Sequence, residues 1–290
     1  NIAIGSYALQ CNTEGYRNIA IGRMALMSST TGNYNIGIGS GTGNAITTGA
    51  CNTIVGNHAG GITTGNDNTI IGLKSGRFLQ QSCANTFVGS KAGSNALPYS
   101  HDNIAIGYHA LVDTQGNGNT AIGFMAGFTN TGSSYPVAGC NNIFIGKCAQ
   151  GLSGSDIDTI TLGNSSIATI RAQVTSITAL SDSRDKTDIS SVSYGLNFLK
   201  QIRPVTFTWN MRDGAKVGQK EMGFIAQELK ETTDNSLLKD WLDGIVISNE
   251  DESRYEATPG KLLPLLVKSI QELSDKNDEL VARIEALENK

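Results

Sequence analysis

Aliphatic residues recur through the first 165 or so positions in a fixed phase with Asn and Gly. The pattern Asn-[Ile/Thr]-x-[Ile/Val]-Gly-x-x-small begins at Asn1, Asn18, Asn35, Asn52, Asn68, Asn85, Asn103, Asn119 and Asn142, with a degenerate tenth copy at Thr159. The period is 16 to 18 residues, broken once by an insertion around Thr131–Cys140. Three places after each Asn stands an aliphatic residue (Ile4, Ile21, Ile38, Val55, Ile71, Val88, Ile106, Ile122, Ile145, and Leu162 in the last copy), and Gly follows it each time. Apolar residues at alternate positions predict a short strand with one face inward. The Gly turns the chain where a side chain would clash, and pairs such as Thr48-Gly49 supply further turns. A lone strand with two turns cannot bury its own apolar face, whereas stacked copies can. The pattern predicts a β-solenoid with coils of about 17 residues.

A different period governs the C-terminus. After Pro259-Gly260, Leu266, Ile270, Leu273, Leu280, Ile284 and Leu287 fall in 4-3 spacing, with polar Asn277 completing it. That spacing predicts a helix with a coiled-coil seam, flanked by the i,i+4 pairs Glu272/Lys276 and Glu279/Arg283. An amphipathic helix lying on its own domain would account for Leu262–Leu273 but poorly for Leu280–Leu287. By the usual rules, Ile and Asn at a with Leu at d favour two strands.

Charge separates the two periodic regions. Residues 1–180 hold 7 of the 22 basic and 6 of the 26 acidic residues, and residues 181–290 hold the rest. The chain divides into a repeat shaft or head over 1–171, a linker over 172–180, a small α+β domain over 181–261 and the helix over 262–290. The net charge of −4 argues weakly against a nucleic-acid groove. No apolar run reaches a membrane span and no signal peptide is visible, so neither nucleic acid nor membrane insertion is expected. The chain opens at Asn1 inside a repeat, without an initiator Met, and reads as a fragment of a longer protein.

Candidate chemistry in the repeats is thin. Cys11, Cys51, Cys83, Cys140 and Cys148 are odd in number and lack metal-ligand spacing, which suggests thiols made in a reducing cytosol. Glycan cleavage would need paired carboxylates, but Glu14, Asp67, Asp102, Asp113, Asp156 and Asp158 fall mostly in or beside turns. His58, His101 and His109 form no ligand set, and Gly39-Ser40-Gly41-Thr42-Gly43 belongs to the repeat and precedes no helix. No metal or cofactor is expected. Asn164-Ser165-Ser166 fits a glycosylation sequon, a weak signal.

The repeat resembles the head repeats of trimeric autotransporter adhesins and of phage and bacterial fibre proteins, over about residues 1–165. That resemblance implies an intertwined homotrimer in which inward Ile and Val rows form a shared core. A single-chain left-handed β-helix of the hexapeptide type has coils of similar length, but its six-residue sub-period is missing here.

A second resemblance starts at Ser181-Asp182-Ser183-Arg184-Asp185-Lys186. It continues through Leu196 and Leu199, Ile202-Arg203-Pro204-Val205 with Phe207 and Trp209, Gly223–Glu228, Tyr255 and Lys261–Leu273. In this order the motifs resemble the intramolecular chaperone that ends endosialidases and related tail proteins (peptidase family S74). The resemblance implies a trimerisation chaperone that cuts itself off between Leu180 and Ser181, with Ser181 as nucleophile and Lys186 as general base. A Ser hydroxyl needs its proton removed, and Lys can take it only as a neutral amine, which desolvation favours. Asp182 and Arg184 could support the pair. Ser and Lys five apart lie on opposite faces of a strand, so the segment must fold back or another subunit must complete the site. Taken alone, the same six residues also read as the polar start of a helix, with Asp182 or Ser183 as cap and Arg184 and Lys186 in solvent. Phe207 and Trp209 are expected in the core.

The sequence thus describes a trimeric fibre or adhesin fragment, from a virion tail fibre or a cell-surface fibre, assembled in the host cytoplasm. Its partners would be its own copies and, through the repeats, a host receptor or glycan. Two rivals are a membrane-tethered regulator that releases an upstream domain and a glycan depolymerase.

Overall fold

The computed structural model describes residues 1–60, 65–95, 99–113, 116–128, 139–153, 155–167, 169–173, 177, 179, 181–193, 195–212, 214–249 and 252–289. Residues 131–138 of the insertion, parts of the 172–180 linker and Leu180 of the expected cleavage site lie outside them. The chain divides into two compact units, Asn1–Ile167 and Ala168–Lys290.

The first unit is a parallel β-solenoid. Ten three-residue strands stack in chain order: β1 (Ile2–Ile4), β2 (Ile19–Ile21), β3 (Ile36–Ile38), β4 (Thr53–Val55), β5 (Thr69–Ile71), β6 (Thr86–Val88), β7 (Ile104–Ile106), β8 (Thr120–Ile122), β9 (Ile143–Ile145) and β10 (Ile160–Leu162). Each strand pairs with the equivalent residues of the next, as in Ile54 with Ile70 and Ile70 with Phe87. The ladder therefore runs between successive coils of one chain.

The alternation within each strand has the opposite phase to the one expected. The middle residues Ala20, Ile54, Ile70, Phe87, Ala105, Ala121 and Phe144 are buried, together with Ala25, Ala59, Ala92, Ala110, Ala126 and Ala149 from the small positions. The aliphatic row of the motif faces outward, and Ile4, Ile38, Ile71, Ile106, Ile122, Ile145 and Leu162 are 38% to 58% exposed. In a three-residue strand only the middle side chain can enter the coil while its two neighbours point away. The single-chain interior is narrow, so Ala, Ile and Phe at the middle position are balanced by residues such as Leu26, Ile46, Leu79 and Leu111. At Gly37 the balance is direct, since a Cβ there would lie 2.7 Å from Leu26 Cγ.

Two polar devices fix the period. From Asn18 onward the motif Asn residues are buried, and each links two coils. Asn35 Nδ2 donates to the Gly49 carbonyl at 2.8 Å, while its Oδ1 accepts from the backbone N–H of Asn52 at 3.0 Å. The same arrangement repeats from Asn52 to Asn68 and from Asn85 to Asn103. Satisfied in this way, a buried amide costs little and holds the register. From β1 to β8 the Gly after the strand meets the carbonyl of its counterpart one coil on. At Gly56 φ is +136°, and a Cβ would sit 2.4 Å from the Gly72 oxygen.

The second unit is a small α+β domain. A 3-10 turn (Ser183–Asp185) leads to α1 (Leu196–Leu199) and the antiparallel pair β11 (Val205–Thr208) and β12 (Lys220–Gly223). Then follow α2 (Ala226–Asp234), a 3-10 turn (Lys239–Trp241) and the antiparallel pair β13 (Val246–Ser248) and β14 (Tyr255–Ala257). A further 3-10 turn (Pro259–Leu262) starts the long α3 (Leu263–Glu288), which Pro264 suits because its first-turn N–H groups need no intrahelical acceptor. Phe198, Leu229, Leu242, Ile245, Leu262 and Leu265 form the core. Phe207 and Trp209, expected in the core, lie half-buried on the hairpin instead. They pack edge to face at 5.0 Å, and the Trp209 indole donates to Glu221 at 2.6 Å. An indole N–H needs a polar partner, and the short hairpin supplies one outside the core.

Candidate functional site

Ser181 and Lys186 meet because the chain reverses between them. Asp182 caps the 3-10 turn, with its Oδ1 accepting from Arg184 N–H at 2.9 Å. The turn closes with Asp185 N–H donating to the Asp182 carbonyl and Lys186 N–H to the Ser183 carbonyl. A strand would have pointed the two side chains apart. Here Lys186 Nζ donates to Ser181 Oγ at 2.6 Å and to the Ser181 carbonyl at 3.2 Å. The side-chain distance is within reach for proton transfer along the same line.

The expected supporting residues serve each other. Arg184 Nη2 lies 2.6 Å from Asp182 Oδ2, and its Nε lies 3.1 Å from both carboxylate oxygens. The side-chain bonds from Arg184, followed by its backbone bond, hold the Asp182 carboxyl below the ordinary carboxylate value. The same side-chain contact raises Arg184. The guanidinium is thus bound to Asp182 and shapes the turn that carries Lys186. Both members of the Ser–Lys pair are exposed, as is every residue from 181 to 193.

Helix α3 has two apolar faces. One, carrying Leu265 and Ser269, is buried in the domain, with Ser269 Oγ donating to the Leu265 carbonyl at 2.7 Å. The other presents Leu266, Ile270, Leu273, Leu280, Ile284 and Leu287, each 48% to 69% exposed, and the exposed Asn277. The expected Glu272/Lys276 pair is replaced. Glu272 lies 4.0 Å from Lys268, and its carboxylate accepts from the backbone N–H groups of Gly195 and Leu196 at the start of α1. No sequence pattern at Gly195 marks this contact, because the acceptor stands 77 residues away.

Residues 181–238 match the family described as chaperone of endosialidase, Peptidase S74. Ser181 is the first matched residue, and the chaperone-of-endosialidase segment runs through α2 to Leu238. Tyr255 and Lys261–Leu273, which continue the sequence resemblance, lie beyond the matched span. Neither the curated proteins nor the solved structures gave a match. The chain therefore joins a β-solenoid to a chaperone-of-endosialidase domain, the composition of a fibre-type protein with a C-terminal chaperone.

Several of the candidate polar groups of the repeats have structural partners. Asp156 accepts from the backbone of Leu152 and Ser153, Asp158 from Asn141, and Asp113 from Asn95. His101 Nδ1 accepts from Cys83 N–H at 3.1 Å, and Cys83 Sγ accepts from Asn66 N–H. Among the described residues no group of three His, Cys, Asp or Glu side chains could hold a metal ion. No described helix is long and apolar enough to cross a membrane.

Proposed function

We propose that this chain is part of a homotrimeric fibre or adhesin whose C-terminal domain aligns three copies and then leaves by self-cleavage between Leu180 and Ser181. The observation that carries the reading is the 2.6 Å contact of Lys186 Nζ with Ser181 Oγ at the first residue of the matched domain. Ser181 Oγ attacks the Leu180 carbonyl carbon and gives its proton to the neutral Lys186 amine. The C–N bond then breaks as the protonated Lys186 gives that proton to the leaving Ser181 nitrogen. Water hydrolyses the resulting ester, leaving a carboxylate on Leu180 and a free hydroxyl and amine on Ser181. Lys186 can accept the proton only as a neutral amine, so the reading requires the pair to lose water when copies assemble. The unpaired apolar faces support that assembly: the seam on α3 and the outward aliphatic row of the solenoid.

The alignment answers a physical problem. Near-identical coils can pair one step out of register at small cost, and a clamp at one end removes that choice. Cleavage then leaves a wound product that cannot readily unwind. In this reading the product is a virion tail fibre or a cell-surface fibre, and its repeat surface meets a host receptor or glycan. The turn roles of Asp113, Asp156 and Asp158 support a binding surface over a depolymerase.

Denaturing electrophoresis tests the cleavage. The wild-type chain is expected to give pieces of 180 and 110 residues, while Ser181→Ala and Lys186→Ala stay whole. A wild-type chain that stays whole removes the protease claim, and sedimentation of the uncut chain as a monomer removes the trimer claim.

A further inference from the structure

Among the described residues, the segment bearing Ser181 and Lys186 meets its domain at one downstream point. Residues 181–193 are exposed, and the hydrogen bonds around the dyad stay within six residues of one another. The first buried residue after them among the described ones is Gly195, where α1 starts. That start has no side-chain cap of its own. Two N–H groups at that start are satisfied from far along the chain: Gly195 N–H donates to Glu272 Oε1 at 3.1 Å and Leu196 N–H to Glu272 Oε2 at 2.9 Å. Gly195 also lies flat on α3, where a Cβ would sit 2.7 Å from the Leu265 carbonyl oxygen and 2.8 Å from Ser269 Oγ. Two independent features, a two-pronged carboxylate and a close backbone approach, therefore hold the same junction to the same helix.

We infer that Glu272 is a positioning residue, clasping the downstream end of the Ser181–Lys186 segment to α3 so that order in the segment follows order in the helix. The inference rests on the proposed self-cleavage for its consequence, although the clasp is measurable without it. Because α3 also carries the unpaired seam, copies joining along the seam would immobilise Glu272, then Gly195, then the segment that reacts. A carboxylate accepting two backbone N–H groups is a charge-assisted link, stronger than a neutral one. The Leu196 N–H bond, followed by the Gly195 bond and the nearby Lys268 and Lys276 charges, keeps Glu272 ionised below the usual carboxylate range. Helix α1, with the sequence Leu-Asn-Phe-Leu, adds no ionisable side chain to the contact.

Hydrogen exchange read by mass spectrometry tests the clasp on the whole chain in a Ser181→Ala background, where no cutting intervenes. In Glu272→Gln and in Gly195→Ala, peptides covering 181–193 and 195–199 are expected to exchange faster, whereas Glu279→Gln, changed elsewhere on α3, leaves both as they were. Protection of 195–199 is also expected to fall on acidification through the Glu272 titration, a step that Glu272→Gln lacks. With Ser181 restored, Glu272→Gln is expected to cut on the order of tenfold to a hundredfold more slowly. Unchanged exchange in Glu272→Gln and Gly195→Ala overturns the clasp, and faster exchange with an unchanged cutting rate overturns its coupling to the dyad. If the wild type does not cut at all, the cleavage proposal fails by itself, and exchange at 181–193 alone decides whether the clasp orders the segment.

Discussion

The solenoid and the C-terminal domain hold themselves together over different distances along the chain. In the solenoid a residue's partner is its own counterpart about one coil away, as Asn35 is to Asn52 and Ile54 to Ile70. In the domain, contacts close over long, unequal separations, such as Gly195 with Glu272 and Arg203 with Glu228. Repetition gives the solenoid stability that grows with each stacked coil, but supplies little to tell one coil from the next. Among its described residues the domain has one core, around Phe198 and Leu265, built from contacts that do not repeat along the chain. Regularity and uniqueness are therefore assigned to separate parts of one chain.

The strongest way to break the comparison is Gly56→Val. It forces a side chain into φ +136° and against the Gly72 carbonyl. The solenoid is expected to lose its stacking on both sides of that coil, while the C-terminal domain keeps its fold. Limited proteolysis followed by mass analysis of the resistant fragments distinguishes the two. Domain fragments lost together with the coil would contradict independent stabilities.

A smaller effect is expected from Asn68→Ala, which orphans the Ser82 carbonyl and the Asn85 N–H. Each buried unsatisfied group costs about 1–3 kcal/mol. The loss should appear as a lower melting temperature for the solenoid transition with no change in the domain transition by calorimetry.

The mildest test is acid. In the domain, Asp182, Glu228, Asp234 and Glu272 are all held below their ordinary values, the first three chiefly by side-chain hydrogen bonds to Arg184, Arg203 and Lys230 and the last by the Leu196 N–H. A carboxyl with a depressed folded value stabilises fully above its unfolded value and loses that contribution as pH falls through the folded one. The domain should therefore soften as pH drops below about 4. The Asn amides that link the coils gain no proton there, so the solenoid transition should move less. Melting curves between neutral and acid pH check the difference, and a solenoid that softened first would reverse it.

Periodicity made the solenoid legible, because one motif repeated nine times averages out local exceptions. The phase of its strands was less so. Ile4 and Ile38 are the more hydrophobic neighbours of Ala3 and Gly37, yet they point outward, since the interior of a single coil accepts the residue that fits rather than the most apolar one. The spacing of Ser181 and Lys186 demanded either a fold-back or a second subunit, and the Asp182 cap and Arg184 pair show how a short turn brings them together. The Glu272 clasp was not legible. Spacing within α3 paired Glu272 with Lys276, and only the folded domain brings it to Gly195. Trp209 shows the same limit: alternation marked it as apolar, while its indole N–H required Glu221.

The row of glycines that ends each strand sets one further property. Because nothing larger than hydrogen separates Gly22 from Gly39, or Gly39 from Gly56, every coil advances by one strand spacing, about 4.8 Å. The number of Asn-to-Gly motifs then acts as a ruler. Duplicating or deleting a whole motif would lengthen or shorten the shaft by that step, leaving both of its ends chemically as they were.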